Sequence, residues 1–380
     1  MKKLIRITTI PLSLDKLIGK QLEYMQQYYN VTAVSADKKE LERVAKKYGV
    51  KWHHVEMTRT ISPLKDLKAL IDLFLFLRKE KPQIVHTHTP KAGIVGMMAA
   101  YFAGVPKRFH TVAGLPLMEA TGLKRKILNF VEKLTYRFAT KVYPNSYGLK
   151  DIILKEKFCQ EDKLKVIGNG SSNGIDTEYF NPNTVDLDQK LALKKELSIN
   201  EEDFVFIFVG RLVKDKGIEE LVHSFTKLQK TYPHSKLLLV GPFEQELNPL
   251  SEKILDTIQH CSNIISVGYK EDVRPYFAIS DCLAFPSYRE GFPNVVLQAG
   301  AMGLSSIVTN INGCNEIIAD KHNGRIVSPK DEHSLYSAML DTISNHALAT
   351  QYGYIACEEI RTKYNQTDIW EAIRREYNAE

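Results

Sequence analysis

At 380 residues and 44% hydrophobic composition, the chain can bury two separate cores. Its 51 basic residues against 45 acidic ones leave a net charge of +6, a balance that suits acidic small molecules or an anionic membrane surface rather than dedicated nucleic-acid binding. Five scattered cysteines (Cys159, Cys261, Cys282, Cys314, Cys357) without CxxC spacing argue against a disulfide framework or a zinc cluster and point to a reducing compartment.

The N-terminal stretch MKKLIRITTI has the two lysines of a signal peptide, but Arg6 interrupts the apolar run and no small-residue cleavage site follows, so it reads as a first strand. The most apolar window, Ala69 to Leu77, contains Asp72 and is too short to span a bilayer. Leu4 to Ile10 and Val31 to Val34 are expected as buried strands with a helix over Gly19 to Gln27 between them. Helices follow over Lys39 to Lys47 and Leu64 to Lys79, then a strand over Gln83 to His88, a small-residue helix over Ala92 to Ala103, and a strand over Arg108 to Val112. Lys124 to Ala139 is a basic helix with Ile127, Val131, Leu134 and Phe138 on its expected core stripe, and Lys141 to Tyr143 is another strand. Strands alternating with helices predict a parallel sheet covered on both faces.

From Val185 to Lys195 the composition turns polar with no useful apolar face, which predicts a linker. A second alternating series has strands at Phe204 to Val209, Leu237 to Val240, Ile264 to Val267, Cys282 to Phe285 and Ser305 to Val308. The expected organisation is α/β, two doubly wound units with a cleft between them. One covers 1–182 and the second 183–362, and a final helix over 363–380 packs back on the first.

Two turns in the second series carry chemistry. Gly210-Arg211-Leu212 with Lys216-Gly217 follows the strand FVFIFV, and a guanidinium and an ammonium at a strand's carboxyl end can both reach one diphosphate. The spacing matches neither a Walker loop nor GxGxxG. After Cys282 to Phe285, Pro286 and Ser287 break the strand and Glu290 falls on a loop. Pro293 then opens a helix whose apolar face is Val295, Val296, Ala299 and Met302. The N-terminus of that helix favours an anion beside a carboxylate that can accept from sugar hydroxyls. A further turn, Ile311 to Glu316, favours an anion or is an ordinary turn.

GRL-x3-KG at Gly210 to Gly217, SNGID-x3-F at Ser172 to Phe180 and PSYREGFPNVVLQAGAMG at Pro286 to Gly303, in this order, resemble the retaining glycosyltransferase family GT4, whose fold is GT-B. The resemblance covers nearly the whole chain. It implies that Arg211 and Lys216 bind the diphosphate of a UDP-sugar donor, that Glu290 contacts the transferred sugar, and that Gly210, Gly291, Phe292, Pro293 and Asn294 shape the donor site. The family's second glutamate, which binds the ribose, is replaced here by Gln298.

The N-terminal half resembles bacterial polysaccharide-assembly members through His86 to Ala92 and His110 to Pro116. Many relatives carry a histidine where Ala113 stands, so His110 or His88 is expected near the reacting centre, with Lys91 and Gly114 as further acceptor-side candidates. His86 and His88 share one face of a strand, but no third metal ligand is evident and no metal or other cofactor is expected. The implied activity is transfer of a sugar to a lipid-linked acceptor in capsule or O-antigen synthesis, in the cytoplasm, with the basic helix Lys124 to Phe138 on an anionic membrane surface. A nucleotide-sugar epimerase or hydrolase and a non-catalytic sugar-nucleotide sensor remain as alternatives.

Overall fold

The structure is a computed structural model that describes residues 1–115, 117, 120–244 and 248–379. Pro116, which ends one of the motifs above, lies outside the described residues. The chain divides into two compact units, Met1–Gly174 with Gln366–Glu380, and Ile175–Asn365.

In the first unit six parallel strands, β1 (Lys3–Ile7), β2 (Asn30–Ser35), β3 (Lys51–His54), β4 (Ile84–Thr87), β5 (Lys107–Val112) and β6 (Lys141–Pro144), lie in the order β3-β2-β1-β4-β5-β6. In the second, β7 (Phe204–Val209), β8 (Ser235–Val240), β9 (Ile264–Ser266), β10 (Cys282–Phe285), β11 (Ser305–Thr309) and β12 (Arg325–Val327) lie in the order β12-β11-β10-β7-β8-β9. Each sheet therefore winds outward from its first strand in one direction and then in the other. In the first unit the reversal falls between β1 and β4, in the second between β7 and β10. Such a switch point opens a crevice at the carboxyl ends of the strands, where open α/β sheets bind ligands. The central strands are apolar because helices cover both faces, and FVFIFV is buried along nearly its whole length.

Several expectations are corrected. Residues 185–195 are not a linker: Asp186 caps the helix Leu187–Glu196 by accepting from the Gln189 N–H at 2.7 Å, and this helix belongs to the second unit. It buries no residue, which is why its sequence shows no apolar face. The chain passes between units at Gly174–Ile175, earlier than residue 182, and returns at Asn365–Gln366. The edge strands β3 and β12 were not expected, because KWHH and RIV are short and only partly apolar.

The helix Gln366–Asn378 packs in the first unit, where Ile369, Trp370, Ile373 and Tyr377 are buried. Its anchor is polar. Arg6, fully buried on β1, donates to the Tyr377 hydroxyl at 2.8 Å and to Gln21 Oε1 at 2.5 Å. The same hydroxyl is hydrogen-bonded to His86 Nδ1 at 2.6 Å, and His86 Nε2 to the Thr111 hydroxyl at 2.8 Å. Burial and then Arg6 hold the His86 pKa well below its ordinary value, so the ring is neutral. Trp370 Nε1 and Gln21 both donate to Asn173 Oδ1, at 2.7 and 3.1 Å.

The basic helix spans Gly122–Phe138, and its fully buried residues are Glu132, Thr135 and Tyr136; of the expected stripe Phe138 packs partly buried against the core, Val131 and Leu134 are half-buried and Ile127 is exposed. Burial raises the Glu132 carboxyl to about 7. The folded state holds this proton more tightly than the unfolded chain. The carboxyl's contribution is therefore most favourable below about 4.5 and is lost as pH rises through about 7. Glu132→Gln removes the cost of ionising it, and should stabilise the protein by on the order of 3 kcal/mol at pH ~8 while changing little at pH ~4. Urea unfolding of both proteins at the two pH values checks this.

Candidate active site

The second switch point sets the turn after β7 beside the loop after β10. The first is Arg211 to Gly217, ending in a 3₁₀ turn at Lys214–Lys216, and the second runs from Pro286 to Pro293. Gly217 has φ +71°, and a Cβ there would lie 2.1 Å from the Pro286 carbonyl oxygen, so only glycine lets the two segments meet. The Tyr288 N–H donates to the Asp215 carbonyl at 2.9 Å, and Arg289 pairs with the Asp215 carboxylate at 2.9 Å.

Lys216 sits in this junction with its side chain 16% exposed. Its ammonium pairs with Glu290 and stands 5.7 Å from the centre of the Phe285 ring. Ser287 Oγ donates to the same carboxylate oxygen, Glu290 Oε1, at 2.8 Å. Arg211, the other cation, pairs with Glu244 at 2.8 Å. Each cation thus holds a carboxylate, and both sit at the carboxyl edge of the sheet, where an incoming diphosphate can replace those partners.

A neighbouring turn fixes the loop. Asn312, after β11, donates to the Glu290 and Gly291 carbonyls, the latter at 3.3 Å, and Thr309 donates to the Ser287 carbonyl. Gly313 has φ +79°, and a Cβ there would meet the Gly291 carbonyl oxygen at 2.5 Å. The Ile311 to Glu316 turn is therefore a support: the Gly313 N–H is taken by Glu316 at 3.2 Å instead of facing an anion. Phe292 offers only its backbone, since its ring is buried against Tyr364 with centroids 5.5 Å apart. Pro293 is the N-cap of the helix Asn294–Ala301, and no side chain caps that helix, which leaves first-turn N–H groups for a ligand or solvent. Asn294 and Gln298, one turn apart, are half-buried, while Val296, Leu297, Ala299 and Gly300 form the buried face. Gly210 ends β7 at φ +153°.

In the first unit the two histidines expected on the acceptor side are buried. His110 is 3% exposed, its Nδ1 bonded to Thr87 Oγ1 at 2.7 Å and its ring so close to Gly93 that a Cβ there would meet it at 2.6 Å. Burial lowers its pKa to about 4, so the ring is neutral at pH ~7. His88 is likewise buried and neutral, its ring 4.2 Å from that of His86. Lys91 pairs with Asp66. Gly114 is half-buried in the segment after β5. Among the described residues no cluster of three His, Cys, Asp or Glu side chains is placed to hold a metal.

Two doubly wound parallel sheets, the second with two cations and a carboxylate at its switch point, define an α/β protein of two Rossmann-like units. Residues 22–170 match the Glycosyl transferase 4-like domain and residues 189–358 match Glycosyl transferases group 1. The capsular polysaccharide biosynthesis glycosyltransferase CapM of Staphylococcus aureus is 32% identical over 99% of this chain and 97% of its own length. The UDP-Gal:alpha-D-GlcNAc-diphosphoundecaprenol alpha-1,3-galactosyltransferase of Escherichia coli is 34% identical over 77% of this chain and 74% of its own. In structure the chain resembles Anabaena HepE, crystallised with UDP and glucose, with a TM-score of 0.83 over all of both chains at 16% identity. The chain belongs to the group 1, GT4-like glycosyltransferases and has the GT-B fold.

Gly217→Ala tests the junction. A methyl group driven against the Pro286 carbonyl at positive φ should cost on the order of 2 kcal/mol of stability, measured by denaturant unfolding, and should lower glycosyl transfer as the loop shifts.

Proposed function

We propose that this glycosyltransferase moves a sugar, with retention of configuration, from a UDP-sugar to a lipid-linked diphosphate saccharide during assembly of capsule or a related surface polysaccharide. The observation that carries the reading is the pairing of Lys216 with Glu290 across the β7–β10 switch point, with Arg211 on the same turn. The capsular role named for the Staphylococcus aureus relative and the UDP-Gal donor and diphosphoundecaprenol acceptor named for the Escherichia coli relative support it.

In this reading the donor diphosphate takes Arg211 from Glu244 and Lys216 from Glu290. Glu290, still held by Ser287, then turns to the hydroxyls of the transferred sugar. The bond from the anomeric carbon to the diphosphate oxygen breaks while the acceptor oxygen bonds on the same face, and the acceptor's proton passes to the departing diphosphate. The developing negative charge meets two fixed cations and the uncapped helix Asn294–Ala301, so no bound metal is needed for this step. Gln298 lies one turn beyond Asn294, where its amide accepts from a ribose hydroxyl. The enzyme works at the cytoplasmic face of the membrane as a peripheral protein, drawn by the cations of the helix Gly122–Phe138.

A panel of nucleotide sugars offered with a diphosphoundecaprenyl-linked acceptor, read by mass spectrometry, tests the activity. A single glycosylated product made from a UDP-sugar is expected. Donor consumption without acceptor would indicate a hydrolase or epimerase, and donor binding without turnover a sensor.

Replacing Arg211 or Lys216 by Ala should cost on the order of 2–4 kcal/mol of transition-state stabilisation, seen as a fall in kcat/KM. Gln298→Glu should tighten donor binding by up to about 1.5–3 kcal/mol in titration calorimetry, because a carboxylate accepts more strongly than an amide. Glu290→Gln should lower kcat more than donor affinity.

A further inference from the structure

On one face of the first sheet three helices lie side by side: Pro63–Glu80 beside Pro90–Phe102, and Pro90–Phe102 beside Gly122–Phe138. A helix in such a layer turns its apolar side to the sheet and a polar side outward. These three turn apolar residues outward as well. On Pro63–Glu80 the core side is Ala69, Leu73 and Leu77, while Leu64 (85% exposed), Leu67, Ile71 and Leu75 follow i, i+3, i+7, i+11 spacing on the opposite side. On Gly122–Phe138, opposite Glu132, Thr135 and Tyr136, the outward residues are Leu123 (74% exposed), Ile127 and Phe130. Pro90–Phe102 contributes half-buried Ile94 and Met98 and exposed Tyr101, whose ring centre is 5.0 Å from that of Phe138 on the neighbouring helix.

The charges around this surface have one dominant sign. Lys68, Arg78 and Lys79 flank the leucine stripe of the first helix, and Lys126, Lys133 and Arg137 flank that of the third, all exposed. Of the acids on the three helices, Asp66 pairs with Lys91, Glu80 pairs with Lys3 and Glu132 is buried, leaving Asp72 exposed among the described residues. Among the described residues no helix is long and apolar enough to cross a membrane. A second copy of this chain docked about a two-fold axis would set one cationic rim against another, which disfavours self-association. A bilayer with anionic headgroups offers an apolar phase for the stripes and negative charge for the rim.

We infer that the outer surface of these three helices docks into an anionic bilayer, with the Leu64 to Leu75 and Leu123 to Phe130 stripes entering the acyl boundary and the cations holding headgroups. The inference rests on the peripheral-membrane reading above and adds an apolar, salt-resistant component supplied chiefly by Pro63–Glu80. Each helix runs antiparallel to the strands, so Leu64 and Leu123 lie toward the carboxyl edge of the first sheet, the edge at which a lipid-linked acceptor would be presented.

The test is co-flotation of the full chain with phosphatidylglycerol–phosphatidylcholine vesicles. Wild type is expected to bind at low salt and to keep part of its binding at ~1 M salt, where the screening length is about 3 Å. Leu67→Gln with Ile71→Gln, and separately Phe130→Gln, should lower partitioning about tenfold per buried side chain at both salt concentrations. These residues are already exposed, so the fold should stand, and circular dichroism verifies it. Lys126→Gln with Lys133→Gln should remove only the low-salt component. Binding that the apolar substitutions leave unchanged would overturn the proposal, as would sedimentation showing a wild-type dimer that they dissolve. Transfer to a short-chain, water-dispersed acceptor without vesicles separates the two readings. If transfer persists while vesicles fail to bind, docking alone is wrong, and if vesicles bind while no sugar moves, the donor and acceptor proposed above are wrong.

Discussion

The contact on which the second unit depends is that between the turn after β7 and the loop after β10. It exists because strand order reverses there, so two segments far apart in sequence leave adjacent strands at the same edge. Gly217 permits the approach, Asp215 and Arg289 clip it, and Lys216 and Glu290 place opposite charges across it. Asn312 and Gly313 hold the far side of the loop. The site's two cations, Arg211 and Lys216, are thus held by the unit's own carboxylates.

The first unit uses the same topology differently. Its sheet buries an arginine that pairs with no carboxylate among the described residues and donates instead to a tyrosine hydroxyl and an amide oxygen. Burial, reinforced by that cation, keeps His86 and His88 neutral. The outer helices of the first unit carry apolar surface that its core does not require.

Much of this was legible in the sequence because fully covered parallel strands read as apolar runs and switch-point turns carry Gly, Arg and Lys in recognisable order. Edge strands such as KWHH escaped notice because an edge is only half covered, and Leu187–Glu196 was mistaken for a linker because it packs no residue in a core. The Gly122–Phe138 helix defeats periodicity for a different reason: it is apolar on two faces, and the outward one overlaps the stripe a reader assigns to the core. In the site, Arg211, Lys216 and Glu290 emerged from their motifs. Ser287, Thr309, Asn312 and Glu244 did not, since hydroxyls, amides and a lone glutamate occur in any turn and acquire a role only through the partner that the fold brings near.

Because Tyr377 and Trp370 complete the first unit, that unit is discontinuous in the chain. During synthesis Arg6, His86 and Asn173 emerge early, but the helix that satisfies them follows only after all of Ile175–Asn365 has been made, roughly 10–40 s later at ~5–20 residues per second. For that interval the nascent sheet has an open flank over β1 and β4, with a buried-type cation and apolar side chains exposed to water. The second unit, continuous in sequence, can finish folding first, so the order of maturation is the reverse of the order of translation.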